Sequence, residues 1–217
     1  VKHESEYDIS DASGYDPGLR GNLETQIANV ADELAYTAHD LDDGLRSGMI
    51  TPSQLEGIEL WEILAETYSW RGTTLDDISR HQMIRHLVGI EVSDVVHATD
   101  MRIKESDVNS SLAVQKLSHN LLGHSEDMIR RNRELKDFLY TKLYRHYRVV
   151  RMAVKAENII SDLFQAYISE PAILPAHVQS LIEKRGLERT ACDYIAGMTD
   201  RYAVDEHRKL FDPFVKP

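Results

Sequence analysis

Apolar residues recur in steps of three and four along most of this chain, which is the spacing of one face of an α-helix. The clearest series predicts a helix over residues 23–47 that ends near Gly48. Its apolar members are Leu23, Ile27, Val30, Leu34 and Leu41. Further helices are predicted over residues 51–72, 74–103, 125–168 (with a bend at 145–149), 176–185, 188–202 and 204–211, with a loop over 104–111. No segment alternates as a half-buried strand does, so the pattern predicts an all-α, multi-helix bundle.

The beginning of the chain lacks this periodicity. Residues 1–22 are mostly polar and hold three of the 11 glycines, which predicts an irregular segment. Residues 23–217 are then expected to form one helical domain.

Composition and charge narrow the possible functions. Hydrophobic residues make up 42% of the chain and charged residues 28%, as in ordinary globular proteins. The net charge of −11 argues against non-specific nucleic-acid binding as the main role. A single cysteine, Cys192, excludes an internal disulfide and fits a reducing compartment. No apolar run approaches the roughly 18 residues that span a bilayer, so we expect a cytoplasmic protein without membrane contact.

An acidic stripe marks the first predicted helix. Asp32, Tyr36 and Asp40 stand four residues apart and therefore lie along one side of that helix, while Asp42 and Asp43 follow near its end. Anions near a helix C-terminus oppose the macrodipole, so a cationic or hydrogen-bonding group should offset them. The stripe fits either a solvated acidic face or a pocket in which one carboxylate binds a metal.

A basic stretch lies later in the chain. Residues 130–155 include nine lysines and arginines but two acids, and Arg148, Arg151 and Lys155 share a helix face. The stretch fits a solvated basic face or a clamp for phosphates. Nucleic acid is a secondary possibility, because tyrosines in the same stretch can stack on bases.

Three segments carry a resemblance to a known family. They are NLETQIANVADELAYTAHDLDDGLRSG, NRELKDFLYTKLYRHYRVVRM and RTACDYIAGMTDRYAVDEHRKLF. All three resemble, in consistent order, the deoxynucleoside triphosphate triphosphohydrolases of the HD superfamily, the bacterial dGTPase-like proteins. The resemblance implies an all-α fold and a divalent metal, Mg or Mn, held by an H…HD…D set.

The resemblance also implies roles for particular residues. Asp32 matches the final metal ligand, while Tyr36 and Asp40 match residues that hold the deoxyribose and phosphate region. Arg145 and His146 are expected on the phosphate side of the site. The implied reaction is attack of a metal-bound water or hydroxide on the α-phosphorus of a dNTP, with release of triphosphate. Homo-oligomers are expected from the same resemblance.

The remaining metal ligands of the family are missing from the expected place. They precede the Asp32 position, where this chain has only His3 and no His-Asp pair. The chain begins at Val1, so we expect the C-terminal portion of such an enzyme, which alone neither holds the ion nor turns over substrate. The alternative is a non-catalytic helical module for assembly, or for nucleotide or nucleic-acid binding.

Overall fold

A computed structural model describes residue 16 and residues 18–216. This part of the chain is predominantly helical and contains no strand, which confirms the all-α prediction. Most of the predicted irregular segment 1–22, including His3, lies outside the described residues. The helices are α1 (Leu23–Arg46), α2 (Glu59–Thr67), α3 (Asp77–Ser106), α4 (Ser111–Gln115), α5 (Glu126–Leu139), α6 (Tyr147–Ser169), α7 (Ala176–Gln179), α8 (Ile182–Arg185), α9 (Leu187–Ala196) and α10 (Asp200–Phe211).

Helix α1 begins and ends where its local sequence predicts. The Asn22 side chain accepts a hydrogen bond from the backbone N–H of Thr25 at 3.0 Å and so caps the first turn. The chain leaves the helix at Gly48, whose φ of +69° is a left-handed conformation that glycine adopts without strain. Leu34 and Leu41 are buried, so the apolar stripe of the sequence is the face that meets the core.

The predicted helix over 51–72 is divided in the structure. Pro52–Leu55 forms a 3₁₀ turn, and Gly57, with φ of +86°, separates it from α2. The following helix, α3, begins three residues later than predicted because Asp76 caps it by accepting from the N–H of Ser79 at 2.9 Å. Its last residue is Ser106, so the predicted loop over 104–111 is partly helical.

The long predicted helix over 125–168 is interrupted near the expected bend. Helix α5 passes into a π-helical turn, Tyr140–Tyr144, before α6 begins at Tyr147. The single helix predicted over 188–202 is wrong, because α9 ends at Ala196 and Thr199 caps α10. Gly197 was expected to mark close helix packing, but it is exposed at the end of α9 and a Cβ there would meet no other helix.

The helices form two compact units, divided between Leu143 and Tyr144. In the first unit, α1, α2, α3 and α5 pack around a common hydrophobic core. In the second unit, α6 packs on α9 and α10 around Leu163 and Tyr167, both fully buried. The hydrophobic pattern gave no sign of this division. No helix among the described residues is both long enough and apolar enough to cross a bilayer.

Candidate functional site

The acidic stripe lies on the face of α1 that points away from the core. Asp32 is exposed, Tyr36 is 64% exposed, and Asp40 is half-buried. The buried residues of the helix, such as Leu34 and Leu41, occupy the opposite side. The three side chains therefore share one accessible face, as their four-residue spacing requires.

The acids near the end of α1 differ in what they contact. Asp42 accepts a hydrogen bond from Nε of Arg80 on α3 at 2.8 Å, and Arg80 also pairs with Asp77 at the start of its own helix. Arg80 is buried, and its hydrogen bonds to Asp77 and Asp42 raise its pKa. This is the cationic partner that the acidic helix end was expected to need. Asp42 is therefore structural, whereas Asp43 is exposed.

A cavity of about 260 Å³ lies beside α1, between it and α5. Glu33 and Thr37 line it from α1, each next in sequence to a member of the acidic stripe. Arg133 and Lys136 line it from α5, and Lys136 forms an ion pair with Glu33. Positive side chains thus stand close to the helix that carries the predicted metal ligand. The sequence analysis counted these two basic residues but assigned them no site.

A buried carboxyl group stands behind this cavity. Glu91 of α3 is fully buried, and neither of its oxygens has a hydrogen-bond partner among the described residues. Burial raises its pKa to about 7, although the nearby Asn132 side chain and Lys136 oppose the shift. Asn132 lines the cavity and is itself buried with an unpartnered Oδ1. The sequence analysis missed Glu91, because a single acid on an otherwise ordinary helix carries no local signal.

A second carboxylate of α3 is fully engaged instead. Asp94 accepts hydrogen bonds from the backbone N–H and the hydroxyl of Ser125, and lies 3.1 Å from Nδ1 of His124. Burial acts to raise the pKa of Asp94, but these hydrogen bonds outweigh it and hold the pKa below its ordinary value. Asp94 thereby ties α3 to the beginning of α5, whose first turn Ser125 caps.

Arg145 and His146 lie at the break between the π-helical turn and α6, in the second unit. Arg145 is exposed, and His146 caps α6, its Nδ1 accepting from the backbone N–H of Arg148 at 3.3 Å. The two are adjacent to one another but belong to a different unit from Asp32. Their role on the phosphate side stays a prediction.

The described residues do not provide a complete metal site. Across residues 16 and 18–216, no three histidine, cysteine, aspartate or glutamate side chains converge as ligands. A divalent ion needs several such ligands to fix its geometry, so Asp32 would be one ligand of a set completed from elsewhere.

Comparison with known proteins reveals clear relatives. Residues 122–209 match the family model described as phosphohydrolase-associated domain. A deoxyguanosinetriphosphate triphosphohydrolase-like protein of Geobacter sulfurreducens is 42% identical over 99% of this chain and 56% of its own length. A similarly named protein of Deinococcus radiodurans is 40% identical over 87% of this chain and 51% of its own length. The chain thus spans about half the length of the curated relatives it matches.

Proposed function

Since this chain is related over nearly its whole length to deoxyguanosinetriphosphate triphosphohydrolase-like proteins, we propose that it carries part of the active site of a metal-dependent dNTP hydrolase. The proposed substrate is dGTP or a similar dNTP, and the products are a deoxynucleoside and triphosphate. Water is added across the bond between the deoxyribose 5′ oxygen and the α-phosphorus. The observation that carries the proposal is the accessible Asp32, Tyr36 and Asp40 face of α1.

Each residue of that face has a distinct proposed task. Asp32 supplies one carboxylate ligand to Mg or Mn, ions that prefer oxygen ligands. Tyr36 and Asp40, one and two turns further on, hold the sugar and the adjoining phosphate. The other metal ligands come from outside the described residues, so this chain alone is expected to be inactive.

Electrostatics supports a phosphate near this face. Arg133 and Lys136 line the cavity that adjoins α1, and a triphosphate carries several negative charges for such side chains to offset. Lys136 is already paired with Glu33, so a phosphate would compete with that carboxylate for its ammonium group. Arg145 and His146 are proposed to act on the phosphate side as well.

Joining the chain to the missing part of a relative tests the proposal. The part of the Geobacter sulfurreducens relative that this chain does not match would be fused to it, and triphosphate release from dGTP would be measured with Mg or Mn. We expect activity in the fusion, none in the chain alone, and loss of activity with Asp32→Ala. Asp43→Asn is the matched control, because Asp43 is exposed on the same helix and outside the stripe. Full activity of the Asp32→Ala fusion, or turnover by the chain alone, contradicts the proposal.

Assembly into homo-oligomers is a second candidate function, favoured by the first half of α6. Apolar side chains there are unusually exposed, with Met152 at 64% and Ile160 at 50%. We propose that a second copy of the chain covers them. Sedimentation velocity at micromolar concentration should show a dimer or larger species, and a monomer would contradict the assignment. A cytoplasmic location is proposed because the exposed thiol of Cys192 suits a reducing compartment.

A further inference from the structure

A second cavity, of about 560 Å³, lies in the second unit between α6 and α10. Three basic side chains line it: Arg151 and Lys155 from α6, and Arg208 from α10. Val154 and Val204 contribute apolar wall from the same two helices. The volume falls within the range of about 300–1,000 Å³ that is usual for small-molecule sites.

The positive charges of this cavity lack strong partners. Neither Arg151 nor Lys155 forms a salt bridge or hydrogen bond with any other described residue, and both are exposed. Within the same part of the chain, Arg208 has only a 4.0 Å contact with Asp205. The four-residue spacing places Arg151 and Lys155 about 6 Å apart along the helix, where like charges repel. An anionic ligand would relieve this repulsion.

The carboxylate in the cavity lining does not relieve it. Asp162 accepts a hydrogen bond from Nε2 of His207 at 2.9 Å, which directs it toward α10. His207 in turn stacks on the ring of Phe211, with centroids 4.6 Å apart. The negative charge is thereby held by a neighbour, and the lining keeps a surplus of cations in a chain whose net charge is −11.

We propose that this cavity binds a polyphosphate group. Three cations at the spacing of one helical turn suit several linked phosphates better than a single one, because arginine and lysine contact separate phosphate oxygens. The group can come from free tripolyphosphate or from a nucleoside triphosphate, whose remaining part would lie on the valine wall. The site requires none of the residues of α1 and does not depend on the proposed hydrolase function.

Calorimetric titration of the full chain tests this site, with sodium tripolyphosphate and dGTP as separate probes and EDTA present. Arg151→Gln and Lys155→Gln are each expected to weaken binding about tenfold, the loss typical of one charge-assisted contact. Arg148→Gln is the matched control, because Arg148 belongs to the same basic stretch but bonds to the Tyr147 hydroxyl at 3.2 Å and does not line the cavity. Circular dichroism checks folding, which substitutions at these exposed positions should preserve.

Val154→Asn separates the two sources. Weaker dGTP binding with unchanged tripolyphosphate binding supports a nucleotide on the valine wall, whereas unchanged binding of both supports free polyphosphate. Absence of binding to either probe overturns the proposal, and so does an equal loss with Arg148→Gln. Tighter binding of a single-stranded oligonucleotide lacking a terminal phosphate would instead indicate an extended nucleic-acid surface. Asp32→Ala must leave binding unchanged, so failure of the hydrolase proposal and failure of this one are separable.

Discussion

The buried carboxyl of Glu91 makes the stability of this protein depend on pH in a calculable way. The perturbation is Glu91→Gln, which keeps the size and shape of the side chain but removes its ionisation. In the folded protein, burial raises the pKa of Glu91 from 4.5 to about 7. The groups that oppose this shift, Asn132 and Lys136, only partly offset it, and Asp94 adds to it.

The sign and size of the effect follow from proton linkage. Between pH 4.5 and about 7 the folded state binds more protons at Glu91 than the unfolded state does. The free energy of unfolding therefore falls as pH rises through this window, and the whole penalty is present above it. At about 1.4 kcal/mol for each pH unit, this penalty amounts to about 3 kcal/mol.

Urea unfolding of both proteins at pH 5 and pH 8 measures this penalty. We expect the Gln variant to gain little at pH 5 and about 3 kcal/mol over the wild type at pH 8. Taking the difference between the two proteins cancels the titration of the ten histidines. Glu105→Gln, an exposed site on the same helix, serves as the control and should show no such pH-dependent gain. A difference between the Gln variant and the wild type that does not change with pH would refute the reasoning.

Two other changes test the packing and the interhelix contacts of the first unit. Gly44→Ala should lower the free energy of unfolding by about 1–3 kcal/mol, because its Cβ would stand 2.5 Å from Cδ1 of the buried Ile50. Urea melts of the variant and of Gly44→Ala with Ile50→Val check this, and a more stable single variant would contradict the proposed clash. Asp94→Asn should cost about 1–2 kcal/mol at pH 7, because the charge that accepts from Ser125 is lost. The folded pKa of Asp94 is depressed below 3.8, so its contribution is present above that value and is lost as pH falls through the folded pKa. Acid titrations of stability should therefore show the two proteins converging, and a constant gap would oppose this account.

Helix positions were largely predictable because their signals are local. Asn22 and Gly48 bound α1 through contacts within a few residues, and the stripe of Asp32, Tyr36 and Asp40 follows from helical geometry alone. The errors at Gly57 and Gly197 have the same origin. An apolar pattern continues across a glycine, whereas the structure divides the helix there because the backbone changes direction or the next cap begins.

What the sequence by itself determined is the all-α class, most helix boundaries and the single accessible face that carries the predicted metal ligand. Only the tertiary structure decided which charges are structural, since Asp42 meets Arg80 across 38 positions of sequence. It also decided that Glu91 is buried without a hydrogen-bond partner among the described residues, and that Arg151 and Arg208 line one cavity. The physical reason is that hydrogen bonds and periodicity within a helix act over a few residues. Burial, charge pairing and cavities arise only when distant helices pack, and no local pattern records which residues they bring together.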